Sequence, residues 1–130
     1  MFTADRSRAV TLPPVVLGGL RPLYRQMVRN RVPAASFRHA AGRAVFDICL
    51  IAGEHGPELQ VRADGFGIDF TLSMTTHFRI APVMSDAQIR ALCAVLAPGA
   101  EPSPALVLEF LQQVVVQSPA VLARTHTCAA

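Results

Sequence analysis

Apolar and polar positions alternate most clearly between residues 44 and 80. Residues 44–52 read AVFDICLIA, apolar at nearly every position, as a central strand covered on both faces would be. Gly53-Glu54-His55-Gly56-Pro57 is turn chemistry. Leu59, Val61 and Ala63 then alternate with Gln60, Arg62 and Asp64. Beyond Asp64-Gly65, a two-residue hairpin signal, Phe66, Ile68, Phe70, Leu72 and Met74 alternate with polar or small residues. That loop sets Ala63 opposite Phe66, Val61 opposite Ile68 and Leu59 opposite Phe70, apolar against apolar on one face. The alternation runs on through Thr76, Phe78 and Ile80. An unbroken strand of this length would reach about 50 Å, so the pattern predicts a bend near Met74 to His77.

The flanking regions follow the helical period. Pro22 suits a first helical position, and Pro33 limits extension, which predicts a helix from Pro22 to about Asn30. Leu23, Tyr24, Met27 and Val28 share one face, with Arg25 and Arg29 opposite and Arg21 just before. Ser85-Asp86-Ala87-Gln88 is a capping box leading into Ile89, Leu92, Cys93 and Leu96, and Gly99 stands past the end. Ser103-Pro104 opens a second helix whose polar stripe is only Glu109, Gln112 and Gln113. The rest of it, between Leu106 and Val116, is apolar, so this helix is either deeply buried or lies in an interface. Ser118-Pro119 signals a last short turn, and the tail over 125–130 reads as loose. Residues 34–45 fit a strand around Ser36-Phe37-Arg38-His39 with Ala40-Ala41-Gly42 as a three-residue loop, or a short helix; the strand is favoured.

These segments give one α+β domain over residues 1–130: an irregular arm over 1–20, an N-terminal basic helix, and an antiparallel meander of three to four strands. Two to three C-terminal helices pack on one sheet face. At 130 residues and 52% apolar content the chain can bury a sizeable core. No apolar run approaches the ~20 residues of a membrane span. Asp5 and the absence of a small-residue cleavage site argue against a signal peptide; the Arg-rich, acid-poor start leaves a transit peptide as the weaker alternative. Three cysteines (Cys49, Cys93, Cys128), an odd number at wide spacing, are not a disulfide framework, so the expected compartment is a reducing cytoplasm.

Charge divides the chain. Eight of twelve arginines lie in the first 43 residues against one acid, Asp5, for +7; the remaining 87 residues carry four arginines and eight acids, for −4. Lysine is absent, which fits either an arginine-favouring genome or a need for planar bidentate donors. A basic front and an acidic body imply an acidic partner or internal neutralisation.

Catalytic constellations are poorly supported. Asp69, Thr71, Ser73, Thr75, His77 and Arg79 share the polar face of the third strand of the 44–80 meander and contain the residue types of a hydrolase triad. On a continuous strand, however, Ser73 and His77 stand about 13 Å apart, where a nucleophile and base need about 3 Å. Cys93 lies on an apolar helical stripe and Cys49 in the central strand, neither in an electropositive setting that lowers a thiol pKa. His39, His55, His77 and His126-x-Cys128 lack paired-ligand spacing, and Gly65-Phe66-Gly67 opens a strand, not a helix, so no metal or cofactor is expected. The leading expectation is a non-enzymatic protein-interaction module (adaptor, inhibitor or chaperone-like) that can also self-associate through the helix bounded by Leu106 and Val116. Its partner-binding residues are Arg21, Arg25, Arg29, Arg31, His77 and Arg79. The alternatives are a nucleic-acid-binding protein using the arginine cluster, which lacks a helix-turn-helix, RNP or KH signature, and a small enzyme with its site on the polar face of that third strand.

Overall fold

The computed structural model describes residues 9–117 as an α+β fold built on a four-stranded antiparallel sheet. Two short strands, β1 (Ala9–Thr11) and β2 (Val15–Val16), lead through a 3-10 turn at Gly18–Leu20 into helix α1 (Arg21–Arg29). The meander follows as β3 (Ala34–Ala41), β4 (Ala44–Gly53), β5 (Gly56–Ala63) and β6 (Ile68–Ser73), in that spatial order. Short strands β7 (Arg79–Ile80) and β8 (Val83–Ser85) precede α2 (Asp86–Leu96) and α3 (Pro104–Val114). The turn expected at Ser118-Pro119 and the tail over 125–130 lie outside the described residues.

One face of the sheet forms the core. Phe46, Ile48 and Leu50 of β4, Leu59 and Val61 of β5, and Ile68, Phe70 and Leu72 of β6 are buried with Leu23 and Met27 of α1, Ile89 and Leu92 of α2, and Val107, Phe110 and Leu111 of α3. The Phe46 and Phe110 rings meet at 4.7 Å. The over-apolar α3 therefore places most of its apolar side chains in the core; Val116, just past it, is 72% exposed. Val28, expected on the buried face of α1, is exposed as well.

The Asp64-Gly65 hairpin forms, but with a different register. Ala63 pairs with Ile68, Val61 with Phe70 and Leu59 with Leu72. Asp64–Phe66 is a 3-10 turn closed by Gly67 at φ 68°, so four residues join the strands and Phe66 sits in the turn, exposed. A shift of two leaves every paired side chain of β5 and β6 on its expected face, while Phe66 leaves the sheet. Periodicity of two cannot distinguish the registers; the positive φ at Gly67 does.

The other connections are tight. Ser36–His39 is strand, within the longer β3, and the predicted three-residue loop is replaced by residues 42–43, since Ala41 pairs directly with Ala44. Gly42 has φ 57°, and a Cβ there would meet the carbonyl oxygen of Val95. The adjacent Arg43 N–H donates to that oxygen at 2.9 Å, so the β3–β4 turn caps the C-terminal end of α2. At the start of α2 the capping box is complete: Ser85 Oγ accepts from the Gln88 N–H, and Gln88 Oε1 from the Ser85 N–H.

The largest departure from expectation lies in the arm. Residues 9–17 pair antiparallel with the segment after the meander, β1 with β8 and β2 with β7. Leu12, Val15, Leu17 and Leu20 are buried. Proline and glycine pairs suggested irregularity, but they punctuate strands too short to show a period.

Candidate interaction surface

The expected break in the long alternating stretch occurs at residues 74–78, and its chemistry is local. The Thr75 hydroxyl accepts from the backbone N–H groups of His77 (3.3 Å) and Arg79 (3.2 Å). The Thr75 N–H donates to the Arg79 carbonyl and the Phe78 N–H to the Thr75 carbonyl. Phe78 takes φ 61°, a left-handed conformation that a bulky side chain adopts only when its surroundings hold it there. The Phe78 ring is buried, edge-on to Tyr24 at 5.5 Å and under the Arg21 guanidinium at 5.7 Å. The Leu17 N–H donates to the Phe78 carbonyl at 2.7 Å. One residue thus fastens the turn to α1.

This contact brings together residues more than 50 positions apart. Arg21, Tyr24 and Phe78 touch, and Arg79 and the exposed His77 flank Phe78 in the turn. Arg25 and Arg29 project from α1 into solvent. Arg31 follows the helix in the left-handed conformation at φ 57°. Its N–H donates to the Val28 carbonyl and the Val32 N–H to the Met27 carbonyl, the paired bonds of a Schellman cap whose left-handed position is normally glycine. The sequence reading missed Phe78 as the link because the alternation through Ile80 made it resemble another sheet residue. The polar run Thr75-Thr76-His77, which breaks that alternation, was the available signal.

The ion pairs lie elsewhere. Register aligns Arg38 with Asp47, Asp47 with Arg62, and Arg62 with Asp69 across four strands of the outer sheet face. Arg38 lies 3.6 Å from Asp47, and Arg62 reaches Asp64 at 3.3 Å and Asp69 at 3.9 Å. Arg90 pairs with Asp86 at 3.2 Å along α2. Among the described residues, Arg21, Arg25, Arg29, Arg31 and Arg79 form no ion pair. Asp47, Asp64, Asp69 and Asp86 each lie beside Arg38, Arg62 or Arg90, whereas the arginines of α1 have no carboxylate partner among the described residues.

The outer face of β6 gives little basis for catalysis. Asp69 is held by Arg62 and by the Gln60 amide at 3.3 Å, and the Thr75 hydroxyl is engaged in the turn. No group of three or more metal-ligating side chains forms among the described residues. Buried Cys93 offers its thiol to the Ser103 carbonyl at 3.5 Å. His39, on the core side of β3, is 5% exposed, and neither ring nitrogen has a hydrogen-bond partner. Burial lowers its pKa from the ordinary imidazole value, and its ring lies 5.7 Å from Phe110.

No protein-family model matches the chain, and neither the curated proteins nor the solved structures contain a significant match to it. No helix among the described residues is long and apolar enough to cross a membrane.

Proposed function

We propose that this protein is a non-enzymatic interaction module (an adaptor, inhibitor or chaperone-like protein) that engages an acidic polypeptide through the surface formed by Arg21, Arg25, Arg29, Arg31, His77 and Arg79. The observation behind this reading is the asymmetry of ion pairing: Asp47, Asp64, Asp69 and Asp86 are matched by Arg38, Arg62 and Arg90, while the five arginines of the surface lack carboxylate partners among the described residues. Arg31 adds support. A chain that keeps arginine where glycine would relieve the backbone retains strain where a side chain is needed for contact. Exposed, unpaired arginines suit carboxylates through their bidentate fork and raise the rate of encounter with an acidic partner.

Nucleic acid is the second reading, since arginines at i and i+4 on one helix can also follow phosphates. It lacks an aromatic platform: Tyr24 and Phe78, the rings beside the arginines, pack against each other. The test is fluorescence anisotropy with labelled poly-glutamate and with single- and double-stranded oligonucleotides, at ~50 and ~200 mM salt. Poly-glutamate should bind more tightly than the oligonucleotides, and Arg25→Glu/Arg29→Glu should weaken it at least about tenfold. Tighter, salt-steep oligonucleotide binding would transfer the surface to nucleic acid. Binding of neither probe at low salt would refute both readings.

A further inference from the structure

Among the described residues, β3 is an edge strand of the sheet with one side unpaired. Its strand neighbour among the described residues is β4, whereas segment 81–83 lies beside β6 at the opposite edge, where together they line a shallow pocket. The hydrogen-bond phase identifies which β3 groups face outward. The Ala52 N–H donates to the Pro33 carbonyl at 2.9 Å, so the pair 33/52 is a hydrogen-bonded one. Bonded and non-bonded pairs alternate along an antiparallel ladder, which makes Ala35, Phe37, His39 and Ala41 the residues bonded to β4. The N–H and C=O groups of Ala34, Ser36, Arg38 and Ala40 therefore point away from the sheet. Pro33 stands just before this eight-residue edge, which itself contains no proline, lysine or bulge and carries one exposed charge, Arg38.

Two features beside the edge select what could pair with it. On the outer face, the charge row from β6 to β3 runs Asp69, Arg62, Asp47, Arg38 and ends on a cation at the open edge. The next strand in that order would place an acid opposite Arg38. On the core side, a groove of about 340 Å³ lies between the C-terminal half of β3 and α3. Its walls include Ala41, Leu96, Leu106 and Phe110, with Glu109 and Gln113 of α3 adding polar groups. A residue neighbouring the acid, on the opposite face of the added strand, would lie over this groove.

We infer that the β3 edge accepts an extended segment of a partner polypeptide by strand addition. The segment carries an acidic residue opposite Arg38 and, next to it in sequence, a long aliphatic side chain that enters the groove beside His39. Main-chain hydrogen bonds to Ser36, Arg38 and Ala40 supply the affinity, and the acid and the groove supply the selectivity. This edge uses residues other than those of the basic surface and stands on different observations.

The test uses selection from a displayed random heptapeptide library on the full chain, followed by anisotropy with the labelled synthetic winner. Ala40→Pro removes one outward N–H while leaving the β4 ladder intact, a position where an edge strand tolerates proline. The winners should share an acid beside a long aliphatic residue. Ala40→Pro should weaken them at least about tenfold with little change in melting temperature, whereas Arg25→Glu/Arg29→Glu should leave them unchanged. Should Ala40→Pro unfold, Ser36→Pro takes its place. Three outcomes overturn the inference: no peptide enriched, winners that bind the folded proline variant equally well, or winners lost only in the arginine variant. A chain dimeric by light scattering, and monomeric as Ala40→Pro, would assign the edge to a second copy and overturn it too.

Discussion

The two charged surfaces of this molecule are built from the same residue type under different rules. On the outer sheet face Arg38 and Arg62 stand in register with Asp47 and Asp69, and each guanidinium has a carboxylate within 4 Å. On the basic surface Arg25, Arg29 and Arg31 have no such neighbour. Strand pairing dictates the first arrangement, because cross-strand neighbours are fixed by register and opposite charges there stabilise the sheet modestly. The second depends on a helix, its cap and one aromatic residue. The arginines of α1 therefore differ from those of the sheet in having no charge within the described fold to answer them.

The strongest way to break the comparison is Phe78→Ala. The ring is buried against Tyr24 and Arg21, and truncation leaves a cavity beneath the basic surface. A loss of about 3 kcal/mol is expected in denaturant melts, in the range for large aromatic truncations. Poly-glutamate binding should fall as well, since the turn no longer holds Arg79 beside α1. The outer sheet face should be unaffected in its hydrogen-exchange protection.

His39 sharpens the comparison by adding a titratable side chain that belongs to neither surface. It is buried with both nitrogens unpartnered, and burial lowers its folded-state pKa below the ordinary value. Well above pH 6.5 both folded and unfolded chains hold it neutral. As the pH falls below that value the unfolded chain takes up a proton that the folded chain refuses, so stability falls with pH until the folded pKa is passed. Glu109 lines the same groove. His39→Leu should flatten the stability profile between pH 6.5 and 5, measured as denaturant midpoint against pH, and should cost little at neutral pH because it also removes two unsatisfied polar atoms.

Much of the architecture was visible in the pattern. The strands of the meander, the Ser85 and Ser103 caps and the break after Met74 follow from local chemistry that one sequence displays. The hairpin register was not visible, because Ala63 opposite Phe66 and Ala63 opposite Ile68 satisfy the same alternation. The role of residues 9–17 was also hidden, since β1 and β2 exist only through partners more than 60 positions away. For the site, the arginines of α1 were evident from charge density. The contact of Arg21 and Tyr24 with the turn that carries His77 and Arg79 was not, because it rests on the left-handed Phe78, and no periodicity encodes a positive φ.

The smallest effect expected is also the most direct test of why Arg31 is an arginine. Position 31 closes α1 in the left-handed region, where glycine carries no steric penalty and arginine does. The Val28 and Met27 carbonyls are bonded by backbone N–H groups, so the side chain contributes nothing to the cap. Arg31→Gly should therefore raise stability by about 0.5–1 kcal/mol, a gain of a few degrees in melting temperature for a domain of this size. The same change should weaken poly-glutamate binding, because one of the five unpaired guanidinium groups is lost. A stabilised variant that binds less tightly would show that the strain is retained for the contact. A stabilised variant that binds equally well would remove Arg31 from the surface and leave Arg25 and Arg29 as its centre.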